Sequence, residues 1–489
     1  MSNLTPPAAS DTLFRPPLVV DLDRSLVRVD LLHEAMARLG LRSPLRLIRL
    51  AWTHRKSLAA FKHAVAQAVP IDASKLPYEP RVITYLREES ACGRRIILAT
   101  ASPAIWAEPI AAHLGLFSEV LATDAENNLK SHRKLAAIRE LLDDMPFAYL
   151  GDSSDDIPLF EAATGGRILA GSSPKPLAHL RRSGVDFNHV APANRATQIR
   201  DMIRACRPVH WIKNMLIFVP AVTSWGMYDP SRLIPAVFAF FSFSLVASAV
   251  YLINDLSDLA ADRAHPDKRR RPLAACQLPV TKGIALAAFL AISGLGLAIA
   301  TGPVVITALL VYVALNAAYT IRLKEMPLTD IALLCSFYLI RVMLGLAVLG
   351  LPQSIWFLGF LGCLFAELAH WKRYVEVLNA PTSSSKRRSY TNQDANVLLA
   401  FGVGFSFTAA VVLTLYMRSN EVSPVYQSPK VLALLAPILL LHNLGMWLEA
   451  SRGKSASDPV TFVLKSKKFW GTAIAAMLVL ATARLLPPL

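Results

Sequence analysis

Hydrophobic positions along the chain change texture near residue 200. Before it, apolar residues come in short runs, "PLVVDLD" (17–23), "RRIILATAS" (94–102) and "PFAYLGD" (146–152), separated by helix-length stretches of mixed polarity. Short buried runs alternating with helices predict the strands of a soluble α/β domain. Beyond residue 206 the apolar segments lengthen, at about 213–226, 233–253, 280–300, 303–320, 328–349, 355–370, 396–416, 430–449 and 469–487. Most come near the ~20 residues that a helix needs to cross a bilayer core, and the first is the shortest. The pattern predicts an α/β domain over 1–187, a linker and amphipathic helix over 188–206, and an all-α membrane domain of nine transmembrane helices over 207–489.

Charge placement adds a direction. Segments 254–279, 321–327, 371–395 and 451–468 carry 17 Lys/Arg in total, whereas 227–232, 301–302, 350–354 and 417–429 carry only Arg232 and Arg418. Positive residues collect on the cytoplasmic side of a membrane protein, so the basic loops and the N-terminal domain are expected in the cytosol. Nine spans then put the C-terminus outside, in a multi-pass protein of the cell (inner) membrane. The first residues, "MSNLTPPAASDTLFRPP", lack the apolar core of a signal peptide. The net charge of +16 is therefore a membrane signature, and no nucleic-acid partner is expected, because no aromatic-basic platform accompanies it. Cys92, Cys206, Cys276, Cys335 and Cys363 stand far apart, which argues against a disulfide framework or zinc site.

In the N-terminal domain "VVDLDRSL" sets Asp21 and Asp23 directly after a predicted strand. Paired carboxylates there suit phosphoryl transfer: one attacks phosphorus, and the other serves the leaving group as acid and water as base. Three further pieces follow in order. "IILAT" ends a strand at Thr100, "NNLKSHRKL" offers Lys130 and Lys134, and "YLGDSSDD" ends another strand with Asp152 and Asp156, carboxylates suited to Mg²⁺. Together these motifs resemble the haloacid-dehalogenase (HAD) superfamily of phosphatases over about residues 17–165. The resemblance implies a HAD-like (Rossmannoid) fold with a helical cap at about 26–90, Asp21 as nucleophile and Asp23 as general acid/base. It further implies Thr100 and a lysine as phosphate binders, and a Mg²⁺ site among Asp21, Asp23, Asp152 and Asp156. Lys134 is preferred because it starts a helical pattern, with Lys130 as the alternative. One departure stands out: Arg24-Ser25 replaces the family's usual Gly-Thr, putting arginine where a tight turn prefers glycine.

The second stretch with chemistry is "YLINDLSDLAADRAHPDKRRRPLAA" (251–275), at the cytosolic exit of a predicted span. On a helix advancing about 100° per residue, Asn254, Asp258, Asp262 and Asp255 fall at roughly 0°, 40°, 80° and 100°, on one face. Carboxylates this close repel one another unless a cation such as Mg²⁺ joins them, and the metal would in turn hold a diphosphate. Pro266 ends the helix, so Lys268 to Arg271 can fold back toward the same phosphates.

This stretch resembles the first aspartate-rich motif of UbiA-type intramembrane prenyltransferases, NDxxDxxxDxxHPxKxxRP, at Asn254, Asp255, Asp258, Asp262, His265, Pro266, Lys268, Arg271 and Pro272. The aromatic prenyltransferases of that superfamily carry a second DxxxD cluster. Here "YTIRLKEMPLTDIALL" supplies Tyr319, Arg322 and Lys324, with Asp330 as the only aspartate after them. With "RPVHWIKN" (207–214), "HWKRYVEV" (370–377) and "SKRRSY" (385–390), this looks like the polyprenyl-phosphate phosphoribosyltransferase branch. That resemblance implies transfer of 5-phosphoribosyl from phosphoribosyl diphosphate (PRPP) to a lipid phosphate such as decaprenyl phosphate. Asp255, Asp258 and Asp262 would hold Mg²⁺. Lys213, Asn254, Lys268, Arg271, Tyr319, Arg322, Lys324, Arg341, Lys372 and Arg373 would line the substrates.

Two other readings stay open: an aromatic prenyltransferase using polyprenyl diphosphate, with the HAD-like domain regulatory or inactive, and a cation transporter. A homo-oligomer is compatible with the sequence. Arg341, deep in a predicted span, reads equally as a phosphate ligand or a structural pair, since charge at depth needs a partner. Glu367 and His370 are expected to snorkel toward the surface, and His442 and Asn443 to make packing hydrogen bonds between helices.

Overall fold

The computed structural model describes residues 15–170, 174–190, 197–225, 229–379, 390–419, 422, 425–453 and 466–486. The chain forms two compact units. One holds the residues up to Cys206 together with Tyr251–Leu286, and the other holds Arg207–Val250 and the residues from Ala287.

In the first unit six parallel strands, β1 (Leu18–Val20), β2 (Ile96–Pro103), β3 (Glu119–Thr123), β4 (Ala148–Gly151), β5 (Gly166–Ala170) and β6 (Asn188–Val190), line up in the order β3-β2-β1-β4-β5-β6. Val19 of β1 is in register with Ile97 on one side and Tyr149 on the other. All three β1 residues are buried, as expected for a central parallel strand covered on both faces. Parallel neighbours need crossovers. Helices α1 (Leu31–Arg42), α2 (Pro44–Thr53), α3 (Leu58–Ala68) and α4 (Pro80–Ala91) fill the β1–β2 connection, in the region expected to form the cap. Single helices, α5 (Ala104–Leu114), α6 (His132–Leu141), α7 (Ile157–Ala162) and α8 (Pro174–Arg182), make the later crossovers, and α9 (Thr197–Cys206) follows β6. Local chemistry sets the helix starts: Asp30 caps α1 by accepting from His33 N, and Ser57 caps α3 by accepting from Ala60 N. Strand order reverses between β1 and β4, which opens a crevice beyond their carboxyl ends. Asp21, Asp23 and Asp152 lie there because each directly follows a strand.

The polar stretch after residue 251 belongs to this same unit. It comprises the last turns of α11 (Pro230–Ser257), then α12 (Leu259–Ala264) and the start of α13 (Val280–Thr301).

The second unit is helical. After a 3₁₀ run (Pro208–Phe218) and the short α10 (Val219–Thr223), it holds most of α11 and α13, with α14 (Pro303–Ile321), α15 (Thr329–Val348), α16 (Ile355–Leu378), α17 (Ala395–Met417), α18 (Leu435–Ser451) and α19 (Lys467–Leu485). Among the described residues seven helices are long and apolar enough to cross a membrane, not nine. The two shortfalls have separate causes. The expected span 213–226 is a 3₁₀ segment and a five-residue helix; buried Asn214 donates to Ser244 Oγ (2.9 Å). Gly345 of α15 admits this segment, because a Cβ there would lie 2.1 Å from the Ile217 carbonyl oxygen. The expected span 355–370 is the 24-residue α16, whose second half carries Glu367, His370, Lys372 and Arg373.

Neither Glu367 nor His370 snorkels. Glu367 is fully buried and accepts hydrogen bonds from Asn443 Nδ2 (2.6 Å) and Trp447 Nε1 (3.1 Å) of α18. His370 is buried and donates from Nδ1 to Ala366 O (2.8 Å), and His442 meets Thr472 of α19 at 3.0 Å.

Candidate functional site

Two acidic centres are candidates. The first lies at the strand ends of the α/β sheet. Asp21 follows β1, Asp152 follows β4, and Asp156 sits at the start of α7; one oxygen of each lies within 4.8 Å of the others. All three are buried. Lys134, in the first turn of α6, reaches between two of them, 2.8 Å from Asp21 Oδ1 and 3.3 Å from Asp156 Oδ1. Lys130 stays at the surface on Asp155 (3.0 Å). Asp156 is held further by Tyr149 OH (2.7 Å) and by the Ser153 N–H (3.0 Å) and hydroxyl (2.8 Å), so it fixes Lys134 as much as it offers charge. Thr100, fully buried on β2, accepts from Ser102 N (3.0 Å), which leaves its hydroxyl hydrogen to donate.

Asp23 differs from the expectation that it joins the metal set. Leu31 N, at the head of α1, donates to its Oδ1 (2.8 Å), and Ser102 Oγ donates to its Oδ2 (2.6 Å), so this carboxylate faces the cap and β2. Arg24 takes the left-handed backbone (φ +59°) that the family's glycine would take at no cost, a strain of about 1–2 kcal/mol. Its guanidinium pairs with Asp30 at 3.4 Å.

Electrostatics in this centre follow from burial. Burial pushes the Asp21 carboxyl up, helped by Asp156 and opposed by Lys134. Asp152 is raised well above the usual carboxylate range by burial and by repulsion from Asp21 and Asp156. Burial works against the Lys134 ammonium, but Asp21 and Asp156 outweigh it and hold the proton firmly. Burial likewise raises Asp23, which suits a group that must deliver a proton. Bringing three carboxyl groups together in a buried site supplies oxygen donors whose charged forms need a nearby cation. The residues therefore fit a hard divalent cation such as Mg²⁺.

No sequence signal marks Lys62 of α3. Its amine is buried, donates to Ala101 O (2.7 Å) and Asn128 Oδ1 (2.9 Å), and so joins the cap region to the end of β2. A lone lysine in a basic helix looks like a solvated one until the chain folds over it.

The second centre is the exit of α11. The backbone continues through Asp258, whose N–H bonds to Asn254 O (3.0 Å), while Asp262 N–H bonds to Asp258 O (2.9 Å). Asp255 and Asp262 are buried and converge on one guanidinium nitrogen of Arg271, at 2.9 and 2.6 Å. Lys268 stands 3.9 Å from Asp262. Asp258 is exposed, so the three aspartates do not meet as the helical spacing predicts. The physical reason is the fold-back after Pro266, which brings a cation between two of the acids. Arg271 neutralises the two carboxylates here, and their oxygens are the donor type that Mg²⁺ prefers. Asn254 is partly buried at the same exit, and His265 Nδ1 accepts from the Asp267 and Lys268 N–H groups (3.2 and 3.4 Å). Beside Asp262, Arg263 forms a bidentate pair with Glu34 of α1 (one contact 2.9 Å), which ties α12 to the α/β fold within the same unit.

In the second unit Tyr319, Asp330 and Arg373 meet. Arg373 donates to Asp330 Oδ2 (2.5 Å), Tyr319 OH (3.0 Å) and Glu376, and Tyr390 OH donates to Asp330 Oδ1 (2.8 Å). Arg373 was expected to bind substrate; it is buried and already serves two carboxylates. Arg341 is likewise committed: it donates to Asn214 Oδ1 (2.7 Å) and Phe337 O and lies 4.7 Å from the centroid of the Phe243 ring. Arg322 is exposed, and Lys213, Lys324 and Lys372 are partly buried.

Comparison with known proteins agrees with both halves. Residues 215–466 match the UbiA prenyltransferase family, and residues 18–161 match haloacid dehalogenase-like hydrolases. The uncharacterized protein y4nM of Sinorhizobium fredii is 32% identical over 471 residues, covering 95% of this chain and 91% of that one. The decaprenyl-phosphate phosphoribosyltransferase of Corynebacterium glutamicum is 35% identical over 238 residues, 46% of this chain and 71% of that one. Among solved structures, a UbiA homolog from Archaeoglobus fulgidus bound to GPP and Mg²⁺ aligns with a TM-score of 0.44 at 17% identity, covering 58% of this chain and 98% of that one. The chain is an integral membrane transferase that belongs to the UbiA prenyltransferase family, with a HAD-like domain at its N-terminus.

Proposed function

We propose that the membrane domain transfers 5-phosphoribosyl from PRPP to a polyprenyl phosphate, and that the HAD-like domain then removes the 5-phosphate. One observation carries the first half. Asp330, the single aspartate of the second motif, is bound by Arg373 and Tyr390, which commits it to a buried ion pair. An aromatic prenyltransferase using two aspartate clusters would need a second cluster at this place. The similarity to the Corynebacterium enzyme supports the same choice.

In the transfer, the bond between ribose C1 and the diphosphate breaks, a lipid phosphate oxygen bonds to C1, and diphosphate leaves. Asp255, Asp258 and Asp262 would hold Mg²⁺, which would supply charge for that leaving group. Arg271 and Lys268 balance the aspartates and are the cations beside them for the departing phosphate oxygens. The protein's contribution is orientation and fixed charge.

In the second step Asp21 attacks the phosphorus of the 5-phosphate and forms an aspartyl phosphate. Asp23, held by Leu31 N and Ser102, gives its proton to the ribose oxygen and then takes one from the water that releases phosphate. Lys134 and Thr100 hold phosphate oxygens. Mg²⁺, when bound by Asp21, Asp152 and Asp156, offsets charge on the phosphoryl group. Both active centres would face the cytosol, an orientation that the Lys/Arg excess of alternate loops supports.

The test is to incubate the purified chain with labelled PRPP, polyprenyl phosphate and Mg²⁺ and weigh the lipid product. Polyprenyl-phosphoryl-ribose supports both steps, and a product that keeps the 5-phosphate supports the transferase alone. Product only from polyprenyl diphosphate and an aromatic acceptor would replace the reading.

A further inference from the structure

Helix α2, "PLRLIRLAWT", buries none of its residues. Leu47 and Leu50 turn inward and rest partly against the core. On the other side Leu45, Ile48 and Trp52 are 81%, 65% and 70% exposed. Spaced three and four residues apart, they form one apolar stripe along the helix. Exposed Arg42, Arg46, Arg49, Arg55 and Lys56 surround it, and Arg55 lies 4.6 Å from the centroid of the Trp52 ring. From residue 35 to 71 the chain carries seven Lys/Arg and no Asp or Glu. Such a run cannot be neutralised from within its own segment.

We infer that α2 is a membrane-surface helix, with Leu45, Ile48 and Trp52 seated in the interface of an anionic bilayer and the flanking arginines on its lipid phosphates. Apolar residues with an aromatic on one side and cations beside them are what an interfacial helix needs. Trp is the side chain that settles at the headgroup level. The chain is an integral membrane protein, so a bilayer is always within its tether, and a weak surface helix gains from that high effective concentration. Two other occupants fit less well. A second copy of this face would bring two sets of unpaired cations together, and nucleic-acid binding by stacking needs interleaved aromatics where this stripe has leucine and isoleucine. The consequence rests on the proposed function: α2 belongs to the β1–β2 insertion, so its docking would hold the Asp21 centre next to lipid-linked phosphate.

The experiment uses the full chain in nanodiscs of phosphatidylcholine alone or mixed with phosphatidylglycerol, with brominated acyl chains. Trp52 emission is taken as the difference between wild type and Trp52→Phe. The expected result is blue-shifted, bromine-quenched emission in the anionic discs, relieved several-fold by high salt or by Arg46→Gln with Arg49→Gln. Unquenched emission in both discs overturns the inference. So does a Trp52 shielded in lipid-free detergent together with cross-linked dimers, which would assign the stripe to a second copy. A response to an added oligonucleotide instead of lipid overturns it as well. In a parallel arm, Leu45→Ser with Ile48→Ser should keep hydrolysis of soluble p-nitrophenyl phosphate and lose several-fold on the lipid-linked phosphomonoester. Failure of wild type on both substrates would sink the phosphatase reading, while the quenching result still decides the docking.

Discussion

The two acidic centres are built from the same residue type and solve opposite problems. At the sheet, Asp21 follows β1, and Asp152 with Asp156 comes from the turn after β4, much later in the chain, with one lysine among them. At the exit of α11, Asp255 and Asp262 are seven residues apart and share a local arginine. The first gathers three acids around one lysine on a rigid scaffold, a setting that a divalent cation would complete. The second is already balanced, and Arg271 must divide its charge between carboxylates and any arriving phosphate. A fixed scaffold can hold uncompensated charge, because β1 and β4 prevent the acids from moving apart. A turn cannot, and brings its own counter-ion.

The largest expected effect breaks the first centre. Asp21→Asn should lower release of the 5-phosphate by about 10³-fold or more, as loss of a nucleophile does, and leave transfer intact. Mass analysis of the lipid product reads both at once, and undiminished release would remove Asp21 from the chemistry. Next come Asp255→Asn and Asp262→Asn, expected to slow transfer by about 10²-fold or more each. Asp258→Asn sharpens the comparison. An equal loss would mean that the exposed aspartate joins the other two during turnover, and a mild loss would leave the buried pair as the centre.

A third test addresses the link between the centres. Arg263→Gln leaves Glu34 without its partner at a site where the side chains are only 11% and 15% exposed, so thermal unfolding in detergent should show a loss of about 1–3 kcal/mol. The reversed pair, Glu34→Arg with Arg263→Glu, should recover part of it. No change in the single mutant would show that α12 does not depend on α1. Smallest is Lys324→Ala. A partly buried lysine making one phosphate contact is worth about 1 kcal/mol, so KM for PRPP should rise roughly fivefold with membrane insertion unchanged. An unaltered kcat/KM would leave Lys324 to orient the chain in the membrane.

Much of this was legible in the sequence because it depends on local order. Runs such as "PLVVD" announce a buried strand with an acid at its end, whatever else the chain does. Apolar segments near twenty residues long point to helices, because a helix satisfies its backbone within the segment, whereas a barrel strand is shorter and alternates in polarity. The second motif, with Tyr319, Lys324 and Asp330 as its only aspartate, could be compared residue by residue. The span count was less secure, because hydropathy does not see Asn214 bonded to Ser244 or Glu367 bonded to Asn443 and Trp447. Each polar group was satisfied by a partner from another helix.

What the sequence alone determined is the alternation, the α/β-to-membrane change near residue 200, and which acids stand at which strand or helix ends. Those features rest on periodicity and on spacings of a few residues. Only the tertiary structure decided the long-range partners: Lys62 on Ala101 and Asn128, Lys134 on Asp21, Arg341 on Asn214, and Arg373 on Asp330. The reason is physical. A buried charge takes whichever opposite group the packing brings within about 3 Å, and that choice is made by residues tens to more than a hundred positions away.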